Sequence, residues 1–159
     1  MNAYKSFEMI LGMNMGIVDE GVFRGRQPSE EELQRLKEYF GVNTIINLSD
    51  SDEREMVEKA GLKYFWFPSN VLHPLSIEKM GEVVDITCNN KVVYGHCREG
   101  IDRTGYWAAA YQIKVLGWQL YEAEECMQRF IRSWFGELWV PIRHRLKEFA
   151  DAEGETVKK

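Results

Sequence analysis

No two cysteines in this chain stand in C-x-x-C spacing, and the three present, Cys88, Cys97 and Cys126, are an odd number. That pattern argues against a disulfide framework or a structural zinc site and leaves at least one thiol free. Basic residues are in deficit: 20 Lys and Arg face 25 Asp and Glu, for a net charge of −5 and a pI near 5.3. The basic footprint of a nucleic-acid binder is therefore missing, and any phosphate recognition must be local. Long apolar runs are also absent, which excludes a membrane-spanning helix. The opening MNAYKSFEMILGMNMG has no basic stretch leading into an apolar core and a cleavage site. A secretory leader is thus not expected, and cytoplasmic residence is. With 45% hydrophobic and 13% aromatic residues, no internal repeat and no low-complexity linker, the 159 residues fit one packed domain. Its core is expected from about residue 17 to about 152, in a monomer that carries no cofactor or metal.

What is present is an alternation of strand and helix signals. RQPSEEELQRLKEYFG gives a helix with Ser29 as N-cap, Glu32 completing a capping box, Leu33, Leu36 and Phe40 on one face, and Gly41 as stop. VNTIINLS (Val42 to Ser49) and LKYFWF before Pro68 read as strands, and SDSDERE between them starts a short helix that ends at Gly61. From Ser76, the spacing of Ile77, Met80, Val83 and Val84 predicts a helix to about Cys88, followed by an NN turn and the strand KVVYGH. TGYWAAAYQIKVLG, QLYEAEECMQRFIRSW and LWVPIRHRLKEFADA read as three further helices. The fold class implied is α/β, a short, mostly parallel central sheet flanked by helices.

The chemistry concentrates in VVYGHCREGIDRTGYWAAAYQ. A strand ending at His96 and a helix starting near Thr104 leave a turn whose amides can converge on an anion at the positive end of the helix. Gly100 and Gly105 allow close backbone approach, so Arg98, Glu99, Gly100, Ile101, Asp102 and Arg103 form a candidate phosphate cradle. Arg103 adds a planar fork that matches two phosphate oxygens and holds them as charge spreads in the transition state. Cys97 lies at the base, where the same dipole and amides stabilise a thiolate nucleophile. Thr104 can donate its hydroxyl to that sulfur when the thiolate leaves. His96 is expected to position the loop through its ring nitrogens rather than to act as a base. A buried structural cysteine would leave Arg103, Thr104 and both glycines as coincidence.

HCREGIDRTG resembles the signature H-C-x5-R-S/T-G of the cysteine-based protein tyrosine phosphatase superfamily, matching it at His96, Cys97, Gly100, Arg103, Thr104 and Gly105. Upstream, VFRGRQPSEEELQRLKEYFGVNTIINLSD looks like the opening segment of the small atypical dual-specificity phosphatases. Together the resemblance covers roughly residues 20 to 135. It implies a tyrosine-phosphatase-like α/β fold, no metal, and substrates ranging from phosphorylated proteins to phosphoinositides and inositol phosphates.

The pattern departs from the family at one place. Such enzymes carry an aspartate on a loop ahead of the cysteine that protonates the departing oxygen, but WFPSNVLHPLSIEKM contains none. Asn70 stands about where the acid belongs, and an amide gives up no proton at neutral pH. Three candidates stay open for the general acid: Asp102, in a DRT ending that looks like that of myotubularins; His73; or no protein acid, with phosphate or water serving. Arg103 next door disfavours protonated Asp102, whereas burial or a bound dianion favours it. Glu78 and Asp85 read as helix-surface residues.

Elsewhere the plainer readings are preferred. Arg24 and Arg26 are expected to stabilise the turn near Gln27 rather than meet a second phosphate. Arg143, His144 and Arg145 read as a solvated face, and Cys88 and Cys126 as members of apolar helix faces. Trp66, Trp107, Trp118, Trp134 and Trp139 read as core or rim, Trp66 beside the acid loop. Two functions outside this enzyme class fit less fully: a phosphate-binding module whose catalysis has lapsed, and a rhodanese-type sulfurtransferase.

Overall fold

A computed structural model describes residues 10–128 and 139–158. Its strands are β1 (Gly16–Asp19), β2 (Val22–Gly25), β3 (Thr44–Asn47), β4 (Lys63–Trp66) and β5 (Val93–His96). The helices between and after them are α1 (Glu30–Phe40), α2 (Arg54–Lys59), α3 (Ile77–Cys88), α4 (Asp102–Lys114), α5 (Leu120–Gln128) and α6 (Trp139–Lys158). The strands form one sheet in the order β1-β2-β5-β3-β4, antiparallel at β1 and β2 and parallel elsewhere. This is the short, mostly parallel sheet that the alternating pattern implies.

Parallel strands need cover on both faces, and β3 and β5 are buried along their whole length. One face packs on α3 to α6 through Val83, Val84, Trp107, Ala109, Ile142 and Phe149. The other packs on α1 and α2 through Leu33, Leu36, Ile45, Val57 and Tyr94. Helix α1 forms as its sequence dictates. The Ser29 hydroxyl accepts the Glu32 amide, the Glu32 carboxylate accepts the Ser29 amide, and Gly41 closes the helix at φ 69°. Because β5 lies between β2 and β3, His96 is level with Gly25 on one side and Asn47 on the other. The segments leaving these three strands therefore meet at one edge of the sheet, where ligands of open parallel sheets bind.

The structure corrects several expectations. The β1–β2 hairpin was not among the strands read from sequence; its strands are four residues each, and its main local mark is Gly21 at φ 73°. Helix α4 starts at Asp102, two residues before Thr104, because the Gly105 amide already donates to the Ile101 carbonyl at 2.8 Å. Asp102 and Arg103 thus belong to the first helical turn. Cys88 is exposed at the end of α3 rather than held on an apolar face, and Cys126 is half-buried. The Arg143–Arg145 spot is laced to Glu124 and Glu148, as a solvated face would be. The expected continuation of α5 to Trp134, and Leu138, lie outside the described residues. Among those described, no helix is long and apolar enough to cross a membrane.

Gly95 sits in the strand that delivers the cysteine, against the fully buried Trp107, whose indole N–H donates to the Thr87 hydroxyl at 3.1 Å. A methyl group on Gly95 would lie 2.2 Å from the indole ring. Overpacking of this kind costs about 1–3 kcal/mol. Gly95→Ala is expected to lower the denaturant midpoint accordingly, with Trp107 fluorescence reporting the displaced ring.

Candidate active site

From Cys97 to Ile101, every backbone carbonyl is engaged by a donor. The Cys97 carbonyl accepts from His96 Nδ1 at 3.0 Å, and that of Arg98 from the Gln27 amide at 3.2 Å. The Glu99 carbonyl accepts from Asn14 Nδ2 at 3.4 Å, and the Gly100 carbonyl from Arg24 Nη2 at 3.1 Å. Ile101 accepts from the Gly105 amide at 2.8 Å and from Arg24 Nη2 at 3.4 Å. A trans peptide is planar, so a carbonyl drawn to one side sends the next N–H to the other. The amides following these carbonyls are thereby turned away from those donors. Gly100 permits the turn: its φ is 74°, and a Cβ would lie 2.4 Å from the Gly25 carbonyl carbon.

Arg24 is the largest of these donors and is buried, at 3% exposure. Burial pulls its guanidinium down to about 10, opposed by attraction to the sulfurs of Cys97 and Cys126, so it remains a cation at neutral pH. Arg26 instead grips Glu32 through two hydrogen bonds of 2.9 Å and donates to the Gly12 carbonyl at 2.8 Å. Both arginines take the structural role expected of them.

Cys97 is 3% exposed at the floor of a pocket of about 180 Å³ walled by Arg98, Glu99, Ile101, Asp102, Arg103 and Val71. The buried Thr104 hydroxyl donates to its sulfur at 3.0 Å. Arg103 Nη1 donates to the Ser69 carbonyl at 2.6 Å, and the exposed Asp50 carboxylate stands 4.0 Å from it. Cys97 and Arg103 thus line one pocket, and the Thr104 hydroxyl is bonded to the Cys97 sulfur.

The acid candidates separate. Asn70 Oδ1 accepts the amides of Leu72 and His73, at 3.0 and 2.9 Å, so Asn70 shapes a turn. His73 is exposed and does not line the pocket. Asp102 does line it. Burial raises its carboxyl above the usual range, the neighbouring Glu99 carboxylate adds to this, and Arg103 only partly opposes it. Trp66 lies beside this loop, its indole N–H donating to the Ser49 carbonyl at 2.8 Å.

One residue escaped the sequence reading. His96 is fully buried, and its Nε2 is hydrogen-bonded to the Glu53 carboxylate, itself 6% exposed. Glu53 lies within the acidic run SDSDERE, where no periodicity distinguishes it from Asp50, Asp52 or Glu55.

The chain is similar to known phosphatases. The dual specificity protein phosphatase TpbA of Pseudomonas aeruginosa is 27% identical over 122 residues, covering 74% of this chain and 54% of its own length. The chain therefore spans about half the length of this curated relative. The TpbA crystal structure superposes with a TM-score of 0.76 at 21% identity, covering 91% of this chain and 92% of that one. PTPMT1 in complex with PI(5)P gives 0.70 at 19% identity, covering 87% and 97%. The core catalytic domain of the PP-IP phosphatase SIW14 from S. cerevisiae gives 0.73 at 18% identity, covering 91% and 90%. These likenesses establish the fold. Residues 18–116, which hold the whole cradle, match the family described as polymorphic toxin system, DSP-PTPase phosphatase, and the chain belongs to that family.

Proposed function

We propose that this chain is a single, monomeric phosphatase domain that hydrolyses phosphomonoesters through a cysteinyl-phosphate on Cys97. The observation that carries the reading is that Cys97 and Arg103 line one pocket while the Thr104 hydroxyl donates to the Cys97 sulfur at 3.0 Å. The substrate phosphoryl group sits on the inward amides of residues 98–103, with Arg103 released from Ser69 to clamp two of its oxygens. The Cys97 thiolate attacks phosphorus, the S–P bond forms and the ester P–O bond breaks. Asp102 gives its proton to the departing oxygen. Water then attacks phosphorus and passes a proton back to Asp102, while the S–P bond breaks onto a thiolate stabilised by Thr104. A lapsed binding module does not need this sulfur–hydroxyl pairing.

Phosphorylated proteins are the preferred substrate class in this reading. The pocket is small, at about 180 Å³; Glu99 lines it beside Arg98, and the Asp50 carboxylate stands 4.0 Å from Arg103. A phosphotyrosine complex of TpbA accords with this. Phosphoinositides and inositol phosphates, the ligand or substrate class named for PTPMT1 and SIW14, carry more charge past the same carboxylates. Turnover of phosphotyrosine peptides, phosphoinositides and inositol polyphosphates side by side ranks these classes directly.

Wild-type protein is expected to hydrolyse an aryl phosphate, to be inhibited by vanadate, and to lose activity in Cys97→Ser; a serine variant as active as wild type overturns the mechanism. Thr104→Ala should slow breakdown more than formation of the intermediate, so that phosphocysteine accumulates in acid-quenched reactions. For Asp102→Asn, loss depends on the leaving group: about 100-fold or more on alkyl phosphates and little on aryl phosphates. Because burial raises the Asp102 carboxyl, its protonated form persists to higher pH than that of an ordinary aspartate. Alkyl phosphate turnover therefore falls as pH rises through that ionisation, and Asp102→Asn removes this limb of the profile. Equal indifference of both substrate types to the substitution removes Asp102 as the acid.

A further inference from the structure

Glu53 breaks two local rules at once. It occupies the N-cap position of α2, with φ −127° and ψ 22°, yet its side chain makes no capping hydrogen bond. The Arg54 amide is taken instead by Asp52 Oδ1 at 3.0 Å. The Glu53 carboxylate turns inward, where Oε1 meets His96 and Oε2 is buried without a hydrogen-bond partner among the described residues. Burying a carboxylate with one oxygen unsatisfied costs stability, as does forgoing a cap. Rule-breaking of this kind marks functional positions.

The backbone around Glu53 is built to aim it. Its amide donates to the Tyr64 phenol oxygen at 3.0 Å, and Tyr64 donates in turn to Asp52 at 2.9 Å. Asn47, at the end of β3, fixes the intervening turn by donating to the Ser51 carbonyl at 2.7 Å and accepting the Ser49 amide at 2.8 Å. Burial pushes Tyr64 up to about 12 and Tyr94 well above its ordinary value, so both phenols beside the pair are neutral. The His96 ring itself is bonded to the Glu53 carboxylate and to the Cys97 carbonyl.

We propose that Glu53 is a positioning residue for the nucleophile: through His96 it commits the ring to the Cys97 carbonyl and keeps a positive charge behind the sulfur. The inference rests on the reading of Cys97 as the nucleophile. Nδ1 faces a carbonyl, which only accepts, so Nδ1 carries a proton. Nε2 faces the carboxylate, and a proton on Nε2 makes the ring an imidazolium paired to Glu53. The carboxylate and the Cys97 carbonyl engage different ring nitrogens, so the ring links Glu53 to the Cys97 peptide. The same contact fixes the Cys97 carbonyl outward and, across the planar peptide, the Arg98 amide inward. Glutamine can hold the ring's position but not its charge.

The test compares wild type, Glu53→Gln, Glu53→Asp, His96→Gln and the Glu53→Gln/His96→Gln pair. Glu53→Gln is expected to fall roughly 10- to 100-fold in aryl phosphate kcat, more than KM changes. Alkylation of Cys97 by iodoacetamide at neutral pH, followed on its own peptide by mass spectrometry, should slow several-fold, and the downfield His96 Nε2 proton should leave the NMR spectrum. Glu53→Asp should recover part of each. Since Glu53 acts through His96, the double variant should lose no more than His96→Gln alone, which keeps the inference readable if Glu53→Gln is less stable. Unchanged alkylation and an unchanged His96 signal in folded Glu53→Gln overturn the proposal, as do additive losses in the double variant. Absence of phosphatase turnover in wild type would overturn the proposed function instead, while the alkylation and NMR readings still judge the Glu53–His96 link.

Discussion

The orientation of a few peptide planes is the constraint on which the rest of this site depends. An amide cradle binds an anion only if its carbonyls point elsewhere, and a buried carbonyl needs a donor. Here the donors come from separate parts of the chain: Asn14, Arg24 in β2, Gln27, and His96 in β5. The order of the sheet explains this spread. Placing β5 beside β2 brings Arg24 beneath a loop 76 residues away, and placing β3 on the other side brings the α2 turn within reach of His96. Replacing a neutral donor by the buried Arg24 cation has a second effect, since the same group attracts the Cys97 sulfur.

What was legible in the sequence was mostly local. The capping box of Ser29 and Glu32 and the stop at Gly41 lie within one helix, so α1 could be read nearly to the residue. The sulfur, its hydroxyl donor and the guanidinium fall within eight consecutive residues, and the strand-loop-helix context around them is equally local. The start of α4 shifted by two residues because its first hydrogen bond, from Gly105 to Ile101, is made inside the cradle itself. The β1–β2 hairpin gave too short a pattern for period-two alternation to stand out.

The part that stayed hidden is long-range. Glu53 meets His96 across 43 residues of sequence, and nothing in SDSDERE says which acid turns inward. That Asp102 lines the pocket and His73 does not is likewise a matter of packing. A covalent neighbour, Arg103, argued one way, while burial and Glu99 act the other way and prevail. Asn70 is a turn-former whose amide oxygen is already spent on two backbone amides.

The carboxylates near the pocket have a kinetic meaning beyond selectivity. Glu99 and Asp50 lie on a chain of net charge −5, so an approaching phosphate dianion meets repulsion until it is within reach of Arg103 and the inward amides. Attraction by the partly buried Arg103 acts at close range and is screened little, whereas the repulsion of a net-negative chain acts at distances beyond about 10 Å, where salt screens it most. Capture of anionic substrates by this protein should therefore quicken as ionic strength rises, the reverse of the behaviour of proteins that draw phosphate in through a basic surface.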